Sequence, residues 1–176
     1  MHDAALLAER IVKELSARGK TIAAAESCTG GRAADLIVSI SGASKVFWGS
    51  FVCYTEDAKV KMLGIPEELI RESGAVSRET ALAMARGALE KSGASWAFSV
   101  TGFAEPPGAI WIAVAGREGE AADMQQAEAR SFLFEGSRNE VREAAAAAAL
   151  EMIFERINRP VFPKPQGGED IDRGED

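Results

Sequence analysis

The sequence predicts an α/β protein, a three-layer α/β/α sandwich built on a mixed, mostly parallel sheet. Segments with apolar residues at helical spacing alternate with short apolar segments that suit buried strands. This alternation predicts parallel strands with helices packed on both faces of the sheet. Near residue 110 the alternation stops, and two strand-like segments follow each other without a helix between them. A late hairpin of this kind makes the sheet mixed.

The first half of the chain begins with an amphipathic helix, because apolar side chains recur among charged ones from Leu6 to Leu15. Residues 21–25 suit a buried strand, residues 26–31 a polar turn, and residues 32–39 a helix. Aromatic and β-branched residues predict a second strand over residues 47–54. The next helix covers residues 56–63 and ends at Gly64, and Pro66 is placed to begin a short one.

In the second half, Ser77 can cap a helix over residues 78–91, and Ser137 can cap a final helix that runs to residue 157. Between them lie predicted strands over residues 96–101, 110–115 and 127–134, with a polar turn around residues 116–120. From residue 159 the chain is rich in proline, glycine and acidic residues, which is typical of a disordered tail. We therefore expect one domain over residues 1–158 and an acidic tail over residues 159–176.

Composition disfavours several classes of function. The 176 residues carry a net charge of −7, and the absence of a basic stripe with aromatics disfavours nucleic-acid binding. No segment approaches the roughly 20 apolar residues of a membrane span, so we expect a cytoplasmic protein without membrane attachment. His2 is the single histidine, and the two cysteines cannot form a zinc site by themselves. A Ser-His-Asp triad, a Cys-His pair and a metal site are all disfavoured.

Polar side chains stand where three predicted strands end. Those residues are Glu26, Ser27, Tyr54 and Thr101, and Gly102 follows the last of them. In open α/β sheets, ligands bind at strand ends, where helix N-termini present free N–H groups. The coincidence predicts a ligand site at this edge of the sheet.

Ser27 lies on a turn that continues through Thr29, Gly30 and Gly31, whose amides could bind a phosphate or the oxyanion of an acyl-transfer intermediate. A serine nucleophile needs a base, and in a chain with no usable histidine Lys59 is the natural candidate if burial lowers its pKa. The alternative is that Ser27 and Thr29 only cap the following helix. Spacing alone favours Lys59 as a solvated surface lysine beside Lys61.

Other polar residues near these strand ends admit more than one interpretation. Cys28 is either a small buried residue or a competing nucleophile. Glu26 could orient the site, act in acid–base chemistry or bind nearby backbone amides. Arg138 and Arg142 begin the last helix, where they could recognise a phosphate or simply be solvated.

The segment over residues 25–31, Ala-Glu-Ser-Cys-Thr-Gly-Gly, resembles the signature of the CinA C-terminal domain family, the nicotinamide-nucleotide amidases. The resemblance covers nearly the whole chain up to the tail. Further matching segments are Gly42-Ala43-Ser44, Tyr54-Thr55-Glu56-Asp57-Ala58-Lys59, Leu63-Gly64-Ile65-Pro66, Gly74-Ala75-Val76-Ser77, Ser99-Val100-Thr101-Gly102, Trp111-Ile112-Ala113 and Gly136-Ser137-Arg138.

The resemblance implies hydrolysis of nicotinamide mononucleotide to nicotinate mononucleotide and ammonia by a serine/lysine mechanism, without metal or cofactor. It implies that Ser27 is the nucleophile, Lys59 its base, and Tyr54 a further catalytic residue. The residues implied to bind or position the substrate are Glu26, Thr29, Gly30, Gly31, Ser44, Thr101, Gly102, Arg138 and Arg142. The family resemblance also implies self-association and likens this chain to the stand-alone form.

One loop departs from the family pattern. After Gly102 the family has a longer, glycine-rich loop with a lysine, whereas residues 103–108 make this loop shorter by about ten residues. Glu105 stands in place of a glycine and would repel a phosphate. Arg32 could compensate from its place after the glycine pair. An alternative function is therefore a paralogue that has a changed substrate, or that binds a nucleotide-like ligand or protein partner without turnover.

Overall fold

The computed structural model describes residues 4–117 and 127–159. The helices in these ranges are α1 (Ala4–Ala17), α2 (Arg32–Val38), α3 (Glu56–Leu63), α4 (Glu67–Ser73), α5 (Arg78–Ser92) and α6 (Arg138–Ile157). The strands are β1 (Ile22–Glu26), β2 (Phe47–Val52), β3 (Trp96–Gly102), β4 (Gly108–Gly116) and β5 (Ala127–Phe134). A short 3-10 turn over Ala43–Lys45, which the sequence did not predict, precedes β2.

The five strands form one mixed sheet in the order β2-β1-β3-β4-β5. Strand β1 pairs in parallel with both β2 and β3, whereas β4 runs antiparallel to β3 and to β5. Four strands therefore point one way and β4 points the other. The mixed α/β fold that the sequence predicts is confirmed, including the pairing of the two last strands.

Helices cover the sheet in two layers, each with its own apolar core. One core joins α1, α2 and α6 to the sheet, and the other joins α5, α3 and α4 to the opposite face. Alternate residues of β3 enter the two cores: Phe98 and Val100 enter the first and Ala97 the second. This two-sided burial explains why β1 and β3 read as almost continuous apolar runs.

Local signals place the helix boundaries. The Ser77 hydroxyl accepts a hydrogen bond from the Thr80 amide at the start of α5, and Ser137 forms a capping box with Glu140 at the start of α6. Helix α3 ends at Gly64, which has the positive φ of 73° that such an end favours. The predicted tail, apart from Arg159, and most of the predicted turn before β5 lie outside the described residues.

Within the described ranges, no helix is long and apolar enough to span a membrane.

Candidate active site

The turn after β1 is held between the neighbouring strands of the sheet. The Ser27 amide donates to the carbonyl of Val100 on β3 at 2.9 Å, and the Cys53 amide donates to the carbonyl of Glu26 at 2.8 Å. These bonds extend the parallel pairing of β1 by one residue beyond the strand. Ser27 therefore has a defined position at the carboxyl edge of the sheet, and it is 7% exposed.

Lys59 reaches Ser27 from the first turns of α3. Thr55 begins this helix by accepting a hydrogen bond from the Ala58 amide at 3.1 Å. The Lys59 amine then lies 3.0 Å from the Ser27 hydroxyl oxygen and donates to the Cys53 carbonyl at 3.2 Å. Lys59 is 2% exposed, and the resulting desolvation lowers the pKa of its amine, although the nearby Cys53, Cys28 and Glu56 side chains oppose the shift.

The surface-charge interpretation of Lys59 is therefore wrong. It describes Lys61 instead, which is exposed and forms an ion pair with Asp57 at 2.8 Å. Two residues along one helix differ in this way because a step of two turns a side chain to the opposite face.

The Glu26 carboxylate is fully buried and holds the start of α2. It accepts hydrogen bonds from the amides of Gly31 at 3.0 Å, Ala33 at 3.1 Å and Ala34 at 2.9 Å, and from the Ser50 hydroxyl at 3.3 Å. A negative charge at a helix N-terminus is stabilising because the first amides have no partner within the helix. Among the alternatives for Glu26, the structure places it on nearby backbone amides.

Arg142 holds the same turn from the opposite side. From α6, its guanidinium donates to the carbonyls of Cys28 at 2.9 Å and Thr29 at 3.0 Å. Gly30 allows this approach: a Cβ there would lie 3.1 Å from an Arg142 nitrogen, and its φ of 62° suits glycine. Arg142 thus contacts the backbone of the turn, and it does not line the cavity described below.

The backbone amides of the turn differ in their partners. The amides of Gly30 and Gly31 donate to the Ser27 carbonyl and to Glu26. The amides of Cys28 and Thr29 lie beside the Cys28 sulfur. Burial raises the pKa of the Cys28 thiol to about 11, although those amides and Lys59 oppose the shift. Cys28 is consequently a neutral thiol, which disfavours it as the nucleophile.

A cavity of about 490 Å³ opens in front of Ser27 and Lys59. This volume lies within the usual range for small-molecule sites. Its lining residues are Ser27, Cys28, Tyr54, Glu56, Lys59, Ala75, Val76, Thr101, Gly102, Phe103, Ala104, Glu105 and Arg138. The Thr101 hydroxyl donates to the Ala75 carbonyl at 2.8 Å, so it fixes the wall of the cavity.

Arg138 lies at the mouth of this cavity between two lining residues. Its guanidinium forms an ion pair with Glu105 at 2.6 Å and donates to the Tyr54 hydroxyl at 3.0 Å. Glu105 comes from residues 103–107, the short connection between β3 and β4. The loop that departs from the family pattern therefore contacts the first residue of α6.

Some predicted residues lie apart from this group. Ser44 is exposed and lies just before β2. The start of β2 at Phe47 pairs in parallel with the start of β1 at Ile22. Ser44 therefore lies at the opposite end of these strands from Ser27, which follows the end of β1. Arg32 pairs with Glu143 at 3.0 Å and does not line the cavity. The Thr29 hydroxyl is buried without a partner in the described part of the chain.

Glu56 lines the cavity, although sequence reasoning did not select it. Its position three residues before Lys59, on the same helix face, was a usable signal. Ala75 and Val76, which lie between α4 and α5, gave no such signal. Among the residues described, no group of three or more potential ligands could hold a metal ion.

A family model described as the CinA C-terminal domain matches residues 4–157. The chain belongs to the CinA C-terminal domain family. This confirms the family resemblance that the sequence motifs indicated.

Two curated relatives illustrate the range of CinA C-terminal domain proteins. The nicotinamide-nucleotide amidohydrolase PncC of Escherichia coli strain K12 is 37% identical over 159 residues, which are 86% of this chain and 93% of that protein. A CinA-like protein of Geotalea daltonii is 43% identical over 151 residues, which are 81% of this chain. The chain spans only 35% of the length of that relative.

Solved structures of CinA-family proteins share the fold. The competence/damage inducible protein CihA from Agrobacterium tumefaciens has a TM-score of 0.82 and 38% identity, over 90% of this chain and 98% of that one. The competence damage-inducible protein A from Klebsiella pneumoniae has a TM-score of 0.82 and 27% identity, over 89% of this chain and 98% of that one.

Proposed function

We propose that this protein is an amidohydrolase that converts nicotinamide mononucleotide to nicotinate mononucleotide and ammonia, with Ser27 as nucleophile and Lys59 as base. The relative named nicotinamide-nucleotide amidohydrolase supports the reaction class. The observation that carries the proposal is the 3.0 Å contact between the Lys59 amine and the Ser27 hydroxyl. This distance is within the reach that a general base requires.

The first half of the proposed reaction forms an ester on Ser27. The neutral Lys59 amine accepts the Ser27 hydroxyl proton as the oxygen attacks the carboxamide carbon. The amine can do so because it donates to the Cys53 carbonyl and keeps its lone pair for Ser27. The tetrahedral intermediate then breaks its carbon–nitrogen bond, and the Lys59 ammonium returns the proton to the departing ammonia.

The second half releases the acid. Water attacks the ester, and Lys59 takes one of its protons. The carbon–oxygen bond to Ser27 then breaks, and the proton returns to the serine oxygen. The products are a carboxylic acid and the original hydroxyl, so Lys59 serves both halves without net change.

The turn also offers donors for the negative oxygen of each tetrahedral intermediate. We assign this role to the amides of Cys28 and Thr29, which lie beside the Cys28 sulfur and adjoin Ser27 in sequence. Removing one such donor costs about 10²–10³-fold in rate in a serine hydrolase. Glu26 and Arg142 contribute by holding the backbone that carries these amides.

The test is ammonia release from the mononucleotide, its nucleoside and free nicotinamide. We expect Lys59→Met to lower kcat by about 10²–10⁴-fold, the range of a general base. Ser27→Ala removes the nucleophile and should lower kcat by about 10⁶-fold. Lys61→Met is the matched control, because Lys61 is an exposed lysine on the same helix, and it should leave kcat unchanged. Turnover that survives both active-site substitutions would contradict the mechanism.

The second candidate function is a paralogue without turnover or with a changed substrate. The observation that favours it is the ion pair between Glu105 and Arg138, which occupies the guanidinium at the cavity mouth. Retained binding of the mononucleotide with no ammonia from any of the three compounds would support the non-catalytic form. Ammonia from the nucleoside or free nicotinamide alone would support the changed substrate.

A further inference from the structure

We infer that Glu105 is a specificity-determining residue, whose carboxylate occupies Arg138 and so removes most of the affinity that a substrate phosphate would contribute. This inference rests on the proposed function for its choice of ligands. It concerns the chemical class that the site accepts, which is a pyridine carboxamide on ribose with little dependence on the 5′-phosphate.

The Arg138 guanidinium already has a hydrogen-bond partner at each of its terminal nitrogens. Arginine binds phosphate well because two parallel N–H groups can meet two oxygens. Here one terminal nitrogen of Arg138 donates to Glu105 at 2.6 Å and the other to the Tyr54 hydroxyl at 3.0 Å. A phosphate could reach this fork only by displacing both partners.

Few basic side chains line the described part of the cavity. The cavity lining in the described part of the chain includes two basic residues, Lys59 and Arg138. Lys59 is buried with a lowered pKa and contacts Ser27. Arg138 is thus the lining residue whose positive charge is permanent.

Acidic side chains also line the cavity. Glu56 and Glu105 both line the cavity, so its two acids offset the charge of its two basic residues. A phosphate monoester carries nearly two negative charges at neutral pH. Near Glu105, its affinity would be lower by about tenfold, from Coulomb repulsion over roughly 5 Å in water with partial screening by salt.

Glu105 can be changed without disturbing the fold. The side chains of Arg138 and Glu105 are 46% and 74% exposed. Exposed ion pairs of this kind contribute little to stability. Glu105→Gln keeps the size of the side chain and removes its charge, so the substitution isolates the electrostatic effect.

The experiment measures binding to a Ser27→Ala background, in which the proposed turnover is blocked. The ligands are nicotinamide mononucleotide and nicotinamide riboside, which share the pyridinium ring and ribose and differ in the phosphate. The ratio of their Kd values, obtained by calorimetry, gives the contribution of the phosphate. We expect less than about threefold with Glu105 present, and about tenfold more after Glu105→Gln.

Two further variants serve as controls. Arg138→Gln combined with Glu105→Gln should abolish the gain, because the guanidinium is the group that Glu105 releases. Glu135→Gln removes one negative charge from an exposed residue close in sequence to α6 and should leave the ratio unchanged.

A mononucleotide that binds about a hundredfold tighter than the riboside with Glu105 in place would overturn the inference. A ratio that does not respond to Glu105→Gln would also overturn it, and so would failure of both ligands to bind. Failure of the proposed function is a separate result, because it is the absence of ammonia release when Ser27 is intact. The binding ratio does not depend on turnover.

Discussion

Glu26 is the buried acid on which the turn around Ser27 depends, and Glu26→Gln tests that dependence with the smallest change of shape. The carboxylate accepts four hydrogen bonds, three from amides at the start of α2 and one from Ser50. Glutamine keeps one oxygen and places an N–H₂ group where the other oxygen was. That group faces donors and cannot accept from them.

The least costly orientation of the glutamine side chain sets the size of the expected loss in the free energy of unfolding. If its oxygen keeps the amides of Gly31 and Ala33, the N–H₂ group meets Ser50, whose hydroxyl can rotate to accept. The amide of Ala34 then loses its acceptor. A buried orphan donor costs about 1–3 kcal/mol, and hydrogen bonds to a charged group weaken by about half when the charge is removed. We expect a loss of about 3 kcal/mol in the free energy of unfolding.

Equilibrium urea unfolding measures this loss. With a slope of about 2 kcal/mol/M, the midpoint should fall by about 1.5 M. Glu90→Gln is the matched control, because Glu90 is an exposed glutamate on α5, and it should shift the midpoint very little. A loss below about 1 kcal/mol for Glu26→Gln would refute the argument that this carboxylate holds the start of α2.

Three other predictions follow from the same site. Cys28→Ala should keep kcat within about threefold in the ammonia assay, because a thiol with a pKa of about 11 is protonated at neutral pH. A loss of about a hundredfold would indicate that Cys28 is the nucleophile. The rate of ammonia release should fall as pH is lowered through the reduced pKa of Lys59. The free energy of unfolding should rise with pH between that pKa and 10.5, because the unfolded chain binds more protons than the folded one in this range. Equal slopes of unfolding free energy against pH in wild type and Lys59→Met would contradict this. Arg142→Gln should lower kcat more than it raises KM, because Arg142 contacts the backbone of the turn and does not line the cavity. Steady-state kinetics that show a rise in KM alone would contradict the role of Arg142 in holding the turn.

The fold was predictable because its signals are local. Helix starts at Ser77 and Ser137 depend on a side chain that bonds an amide three residues away, and the end of α3 depends on the backbone freedom of Gly64. Strands β1 and β3 were predictable from apolar runs that are buried on both faces. The 3-10 turn before β2 was not predicted, since three residues are too few for a periodic pattern.

The candidate site was only partly predictable, because burial and reach depend on tertiary contacts. The chemistry of a chain without a usable histidine pointed to Ser27 and Lys59, but spacing could not show which lysine of α3 faces the core. The resemblance added Ser44, and the start of the last helix drew attention to Arg142. Neither signal could show that Ser44 lies at the opposite end of the strands from Ser27, or that Arg142 contacts backbone. Their roles, like self-association and a cytoplasmic location, stay predictions.

The two charged residues that hold the turn act on opposite ends of the peptide dipole. Glu26 accepts hydrogen bonds from amides of the turn and of α2, Arg142 donates to carbonyls of the turn, and neither side chain lines the cavity. In the proposed mechanism, a turn fixed in this way keeps the amides of Cys28 and Thr29 oriented before a substrate arrives. Preorganised donors of this kind stabilise charge that develops in the transition state more than they stabilise the substrate. For that reason, substitutions at Glu26 and Arg142 should change kcat, whereas substitutions at Glu105 should change which ligand binds.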